Sequence, residues 1–414
     1  MNPMKRQRWT IAFLLGFGVL VNYFDRVNLS VSHDAICSEF GLSEVAFGFL
    51  AGAYNWTYAA MQLPSGILLD RLGVRLVSWI AILLWSAASF WASAARGLGG
   101  FFGARLLLGV GEAPTFPANA KAIGYWFPPN ERSLPTSMFD SAAKFGSAIG
   151  VPLIGLLLLR VGWRMSFLMT GAVSLLYFLL FFLIYRDPEK PFATRDETPA
   201  VAAAGSGKVT LGYLFRQPKI LGLVIGSGAY NYVFYLLVTW LPVYLSRTLH
   251  IDLRQSFLYS GVPWLVAGVA DLLFGGLLVE WLIRRGFNQS RVRMTVLVLG
   301  TTMGLGLLGA AHAHTPAQAL FWISVALGGL AAAAPVGWSL PSLLAPGDNV
   351  GKVGGIMNLA NQAAGILAPI ITGFFVASRF SFAGAFYFAA ALLAIGIVAY
   401  VVLLRSVEPV ALPD

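Results

Sequence analysis

The sequence lacks most of what an enzyme or a metalloprotein needs. It has one cysteine, Cys37, which excludes an internal disulfide and any cysteine-rich metal site. None of its four histidines stands in the HExxH pattern of a zinc hydrolase. The GxSxG motif of hydrolases and the phosphate-binding GxxxxGK motif are also missing. We therefore predict no metal, no cofactor and no enzymatic activity.

Charged residues are scarce as well. They make up 11% of the chain, whereas 57% of the residues are hydrophobic. A soluble core cannot enclose so much apolar surface, so the composition predicts a membrane protein with lipid as its solvent. The net charge of +10 does not indicate nucleic-acid binding, because the basic residues stand singly between apolar runs.

Apolar segments of about 20 residues, long enough to cross a bilayer, predict an all-α membrane protein with twelve transmembrane helices in two six-helix bundles. We place one bundle at residues 1–186, a cytoplasmic linker at 187–219 and the other bundle at 220–414. The predicted spans are 10–33, 45–69, 76–95, 99–125, 133–159, 165–185, 220–246, 256–283, 293–312, 316–344, 351–377 and 383–404.

The distribution of lysine and arginine predicts the orientation. With the N-terminus in the cytoplasm, the basic residues at the span edges fall mostly on the cytoplasmic side, as the positive-inside rule requires. Both termini are then cytoplasmic. The halves also carry similar segments, since residues 66–71 close the second span and residues 276–280 close the eighth. This similarity between the halves suggests two parallel repeats with a substrate path between them.

Several motifs resemble those of a known family. GILLDRLGVR at residues 66–75 looks like the cytoplasmic signature of the major facilitator superfamily, which implies a conformational latch at Asp70, Arg71 and Arg75. More specific motifs resemble the anion:cation symporter family, which includes bacterial galactonate, glucarate and hexuronate permeases and animal sialin and vesicular glutamate transporters. These motifs are NYFDRVNLS (22–30), RLLLGVGEAPTFPAN (105–119), YWFPPNER (125–132), TWLPVYL (239–245), GWSLPSLLAP (337–346) and GGIMNLANQAAGILAP (354–369).

Ionisable residues within the spans are costly in lipid and are therefore functional candidates. Arg105 and Glu112 lie seven residues apart, so a helix places them on nearly one face about 10 Å apart. The Arg105 guanidinium matches the carboxylate of a substrate, and a buried Glu112 can hold a proton near neutral pH. The resemblance implies the same two roles. The alternative is a structural ion pair with neighbouring spans.

Asp25 and Arg26 are adjacent, so their side chains diverge by about 100° and need different partners. The resemblance implies that Asp25 is protonated and that Arg26 controls it. We expect ionised Asp25 to be held by Arg26 or Arg105, and to be released when a proton binds, which permits the change between outward and inward states. A static pair that ties two helices is the alternative.

Further residues align with polar positions of the family site. Tyr23 and Tyr58 are predicted to hydrogen-bond substrate hydroxyls, although tyrosine is also common at membrane interfaces. Asp140 and Lys144 form an i,i+4 pair that either neutralises itself or offers Lys144 to the substrate as a second cation. Galactonate carriers have a glutamine in this region where this chain has Ala143, which weakens any transfer of substrate identity.

In the second half, Trp338, Ser339 and Asn358 match family positions near the ligand and are predicted to bind substrate, with hydrogen bonding between helices as the alternative. Asp271 in the eighth span either bonds to neighbouring helices or lines the path. Ala333 stands at the position equivalent to Glu112 in the first half. The proton-coupling groups are therefore expected to be Asp25 and Glu112, in the N-terminal half.

These observations predict a proton-coupled symporter that imports a small organic anion, such as a hexonate, aldarate or hexuronate, by alternating access. The family implies a monomer in a bacterial inner membrane. Two alternatives stay open. One is transport of another carboxylate (an aromatic acid or dicarboxylate) or of phosphate, and the other is a transporter-like ligand sensor.

Overall fold

The structure is a computed structural model that describes residues 3–128, 131–188, 209–346, 349–378 and 381–411. No strand occurs in these ranges. The helices are α1 (Pro3–Val31), α2 (His33–Phe40), α3 (Glu44–Ala94), α4 (Leu98–Glu112), α5 (Thr115–Trp126), α6 (Ser133–Ile184), α7 (Leu211–Arg216), α8 (Pro218–Thr248), α9 (Leu253–Ala270), α10 (Val279–Arg284), α11 (Gln289–Met303), α12 (Leu307–Ala311), α13 (Pro316–Leu344), α14 (Val350–Ala377) and α15 (Ser381–Val398).

These helices account for every predicted span and confirm the all-α class. The long helices α3 and α6 each contain two spans. The backbone breaks between the two spans at Gly73 (φ 80°) in α3 and at Gly162 (φ 79°) in α6. A residue with a side chain would be strained at these φ values. A π-helical segment, Asp271–Leu278, joins α9 to α10, and another, Ala399–Leu404, extends α15. The fourth span is broken between α4 and α5, at Ala113 and Pro114.

Length and composition alone qualify eight of the described helices as membrane-spanning. Their outer faces carry many large apolar side chains, such as Phe13 and Leu183, which are 65% and 67% exposed. An outer surface of this kind is unfavourable in water and suits contact with lipid.

The chain divides into two compact units by its internal contacts. Unit 1 comprises residues 1–200, 238–246 and 252–261, and unit 2 comprises residues 201–237, 247–251 and 262–414. Short pieces of α8 and α9 thus group with unit 1, where the Ser30 hydroxyl donates to the Thr239 carbonyl. Residues 189–208 of the predicted linker lie outside the described residues, so the boundaries at 186 and 220 stay a prediction.

Small residues bring the helices of unit 1 close together. A Cβ atom added to Gly146 of α6 would lie 2.9 Å from the Cβ of Tyr23 in α1, and one added to Gly111 of α4 would lie 2.6 Å from the backbone nitrogen of Trp85 in α3. Such close backbone approach is typical of helix packing in membranes. In this unit the charged residues of α1 and α4 contact each other and polar residues of α3.

Candidate functional site

A buried ion pair joins α1 to α4 in unit 1. The Arg26 guanidinium donates from Nε to Glu112 Oε2 at 2.7 Å, and the Tyr54 hydroxyl donates to the same oxygen at 2.8 Å. Glu112 is fully buried, and its other oxygen, Oε1, has no hydrogen-bond partner among the described residues. A proton can therefore bind at Oε1 without breaking an existing hydrogen bond. Sequence spacing placed Glu112 and Arg105 on one helix face; the charged partner of Glu112 is Arg26 of another helix, which is the ion pair with a neighbouring span that the sequence offered as the alternative.

Three tyrosine rings surround the Arg26 guanidinium. Its central carbon lies 4.6 Å from the ring centre of Tyr23, 4.9 Å from that of Tyr54 and 5.4 Å from that of Tyr58. A cation is attracted to the face of an aromatic ring, most strongly where water is excluded. Tyr23 and Tyr58, which the sequence suggested as hydroxyl-binding residues, therefore also hold this arginine in place. Binding of a substrate by either residue stays a prediction.

Arg105 is a buried cation without a counter-ion among the described residues. Its side chain is 5% exposed, and within that part of the chain its Nε and Nη1 nitrogens have no hydrogen-bond partner and it forms no ion pair. The guanidinium carbon of Arg105 lies 5.4 Å from the ring centre of Tyr54, whose hydroxyl group binds Glu112. Leaving buried donors of a charged group unsatisfied is costly. An anion that fills this position would recover that free energy.

Asp25 is held by hydroxyl groups rather than by an arginine. Ser89 of α3 donates to Oδ1 at 2.6 Å and Ser174 of α6 donates to Oδ2 at 2.8 Å, while the carboxylate is 1% exposed. The expected ion pair of Asp25 with Arg26 or Arg105 is therefore wrong for this structure, because Arg26 binds Glu112 and Arg105 forms no ion pair with any residue that the structure describes. Neighbouring helices thus provide two separate buried carboxylates in unit 1.

Lys144 and Asp140 form the expected pair on α6. Lys144 Nζ lies 2.7 Å from Asp140 Oδ2, and the lysine is 4% exposed. The pair is within electrostatic range of Tyr23, on the helix that packs against Tyr23 through Gly146. The charge of Lys144 is therefore balanced by Asp140, on the helix that packs against Tyr23.

The latch differs from the pattern that the signature implied. Asp70 contacts Lys121 of α5, whose Nζ lies 2.5 Å from Asp70 Oδ1 and also donates to the Leu69 carbonyl at 3.1 Å. Arg71 is exposed, and Arg75 stacks over the Trp79 ring with its guanidinium carbon 4.6 Å from the ring centre. A latching role for these residues stays a prediction.

Unit 2 contains a small, partly open cavity between α8, α11, α13 and α14. Its volume is about 20 Å³, enough for roughly one water molecule. Trp338 lines it together with the polar residues Ser227, Asn231, Thr301 and Asn361. The amide oxygens of Asn361 and Gln362 are buried and have no hydrogen-bond partner in the described residues. These oxygens can accept hydrogen bonds from hydroxyl groups.

The remaining predicted residues of unit 2 do not line this cavity. The Ser339 hydroxyl donates to the Val336 carbonyl of its own helix at 2.7 Å, and the Asn358 amide oxygen accepts from Gln362 at 3.4 Å. Asp271 is 1% exposed and begins the π-helical segment. Segments of this kind often occur at functional sites. A role in substrate binding for Ser339 and Asn358 stays a prediction.

A second cluster of charge lies at the start of α2, beyond Val31, where the first membrane-spanning helix of the structure ends. His33 Nδ1 lies 2.8 Å from Asp34 Oδ1, and His33 Nε2 lies 2.8 Å from Glu44 Oε2. Burial lowers the pKa of His33, but its hydrogen bonds with Asp34, Cys37 and Glu44 outweigh that effect and raise the pKa to about 10. In the described residues no group of three His, Cys, Asp or Glu could hold a metal ion.

Four residues at these sites escaped sequence analysis. Lys121 had a usable signal, because it is a charge within a predicted span, like the residues that were selected. Tyr54, Ser89 and Ser174 had none, since single hydroxyl groups are common in membrane helices and usually bond to their own backbone, as Ser86 does to the Ile82 carbonyl.

Comparison with known proteins gives a consistent result over nearly the whole chain. A model of the Major Facilitator Superfamily matches residues 15–300. An uncharacterized transporter of Bacillus subtilis is 36% identical over 416 residues, which cover 98% of this chain and 96% of the relative. A D-galactonate transporter of Escherichia coli is 30% identical, covering 98% of this chain and 97% of the relative.

Solved structures of similar fold are transporters too. A bacterial homolog of the human lysosomal transporter Spinster has a TM-score of 0.76 at 17% identity, with 98% of each chain covered. A D-xylose-proton symporter also has a TM-score of 0.76 at 17% identity, with 95% of this chain and 97% of that chain covered. At this identity the similarity establishes the fold alone.

Proposed function

Because the chain belongs to the major facilitator superfamily, and is therefore a multi-pass membrane transporter rather than an enzyme, we propose that it imports a sugar acid together with protons. The relatives that carry galactonate, glucarate and hexuronate support the substrate class. We place the protein in a bacterial inner membrane with both termini in the cytoplasm.

The observation that carries the proposal is the unpaired Arg105. A buried guanidinium with unsatisfied donors favours an anionic ligand, and a carboxylate accepts two parallel hydrogen bonds from it. Arg26 is already bound to Glu112, so a substrate carboxylate gains most at Arg105.

The two buried carboxylates support proton coupling. Glu112 binds the proton at its unpaired Oε1, which weakens its attraction for Arg26 without requiring a new partner. Asp25 binds a proton once one of its two serine hydroxyls turns to accept instead of donating. Neutralising both acids permits the change between outward and inward states during alternating access.

Uptake into proteoliposomes tests this proposal. Radiolabelled galactonate, gluconate, glucarate and glucuronate are offered with an inward proton gradient to native protein, Arg105→Ala and Glu112→Gln. We expect gradient-driven accumulation by native protein, loss of all transport in Arg105→Ala, and exchange without accumulation in Glu112→Gln. Arg105→Lys serves as a matched variant that keeps the charge but cannot form the bidentate contact, and we expect uptake to fall by about tenfold or more.

If native protein moves none of the four acids, the sugar-acid assignment is wrong. The same assay then extends to aromatic acids, dicarboxylates and phosphate. Binding of a sugar acid without any transport would instead identify a ligand sensor.

A further inference from the structure

The buried cations of the described residues are almost all neutralised. There are four buried Lys or Arg side chains, and three of them pair with a carboxylate: Arg26 with Glu112, Lys121 with Asp70 and Lys144 with Asp140. All four belong to unit 1, and the buried charged residue in the described part of unit 2 is the acid Asp271. A bound anion therefore finds one uncompensated positive charge, at Arg105.

Lys144 is a paired cation on α6, the helix that packs against Tyr23 through Gly146. It acts electrostatically on Tyr23, as does Asp140, and Tyr23 in turn packs on Arg26. Arg105 belongs to the same cluster, since its guanidinium carbon lies 5.4 Å from the Tyr54 ring centre. A series of contacts thus leads from Arg105 through Tyr54 and Arg26 to Tyr23, which packs against the helix that carries Lys144 and Asp140.

We propose that the Lys144–Asp140 pair makes this site select anions with a single carboxylate, and that Asp140 is the residue that excludes a second one. The inference rests on the proposed function and narrows its substrate class to aldonates and hexuronates rather than aldarates. With the substrate carboxylate at Arg105, the far end of the substrate lies at the Lys144–Asp140 pair. Asp140 already neutralises the lysine that a second substrate carboxylate would need.

Electrostatics gives the reason for this selection. A second carboxylate beside Asp140 would meet a like charge, and in a buried site that repulsion is weakly screened. It would also have lost its hydration without gaining a free cation, since Lys144 is already neutralised at 2.7 Å. A hydroxyl group at the same end of the substrate carries no such cost, because it can donate to a carboxylate oxygen of Asp140.

Gluconate and glucarate provide the probe, because carbon 6 is a hydroxymethyl group in gluconate and a carboxylate in glucarate. Each is used unlabelled to inhibit uptake of radiolabelled galactonate by native protein in proteoliposomes. We expect gluconate to inhibit at a concentration about tenfold or more below that needed for glucarate. Equal inhibition, or stronger inhibition by glucarate, overturns the inference and leaves sugar-acid transport intact. Failure to take up any sugar acid overturns both.

Two variants locate the selectivity. Asp140→Asn releases Lys144, so we expect the concentration of glucarate needed for inhibition to fall by about tenfold relative to that of gluconate. The double variant Asp140→Asn with Lys144→Gln removes the released cation and should lose that gain. If both variants respond to glucarate alike, the pair does not set specificity. If Asp140→Asn fails to fold, judged by gel filtration, the comparison of the two acids on native protein decides alone.

Discussion

The two serines that hold Asp25 should set the pH at which the transporter takes up its proton. Ser89 and Ser174 donate to separate oxygens of a carboxylate that is 1% exposed. A donor stabilises the ionised acid, and a hydrogen bond to a charged group contributes about 1.5–3 kcal/mol. Replacing either serine by alanine removes that stabilisation and favours the protonated acid.

The expected shift follows from this free energy. One pH unit corresponds to about 1.4 kcal/mol, so each substitution should move the pH of half-maximal proton-driven uptake upward by roughly 1–2 units. The assay is initial uptake in proteoliposomes across external pH, with substrate exchange at equal pH on both sides as a measure of intact folding. Ser86→Ala is the matched control, because Ser86 is a buried serine of the same helix that donates to the Ile82 carbonyl.

An unchanged midpoint in both Ser89→Ala and Ser174→Ala would refute this reasoning. The same shift in Ser86→Ala would refute it too, since that variant leaves Asp25 untouched. A downward shift would mean that the hydroxyls stabilise the protonated rather than the ionised acid.

Two further predictions concern stability. His33 has a pKa of about 10 in the folded protein against an ordinary value of 6.5, so the stability it contributes is complete below about pH 6.5 and is lost as the pH rises towards 10. In Glu44→Gln, thermal unfolding in detergent should show this loss of stability at a lower pH than in native protein. Identical pH profiles of the two proteins would contradict the prediction. A Cβ at Gly109 would collide with the Tyr54 carbonyl, so Gly109→Ala should destabilise unit 1 by about 1–3 kcal/mol. Gly99→Ala, where nothing lies within 4 Å, should unfold at the native temperature in the same measurement.

The sequence predicted the fold well because span length is a local property. Runs of about 20 apolar residues identify each helix without knowledge of its neighbours. In α3 and in α6 two predicted spans follow each other without a loop, and the backbone break at Gly73 or Gly162 marks the boundary between them. The π-helical segments could not be predicted, since they depend on how α9 and α15 pack.

The site was only half predictable, for a related reason. The cost of burying charge selected Asp25, Arg26, Arg105 and Glu112 from their own segments. Their pairing depends on contacts between distant parts of the chain, such as the 86 residues that separate Arg26 from Glu112. Helix periodicity places two residues on a face, but it does not determine which neighbouring helix that face meets.

The central claim is that a sugar acid enters together with protons through a site built on Arg105. The most direct test is the external pH of a weakly buffered suspension of proteoliposomes, recorded as galactonate or gluconate is added. The account predicts that native protein makes the medium more alkaline as the labelled acid enters, and that Arg105→Ala gives no pH change and no entry. Entry of the acid into liposomes with native protein without any alkalinisation would contradict proton coupling.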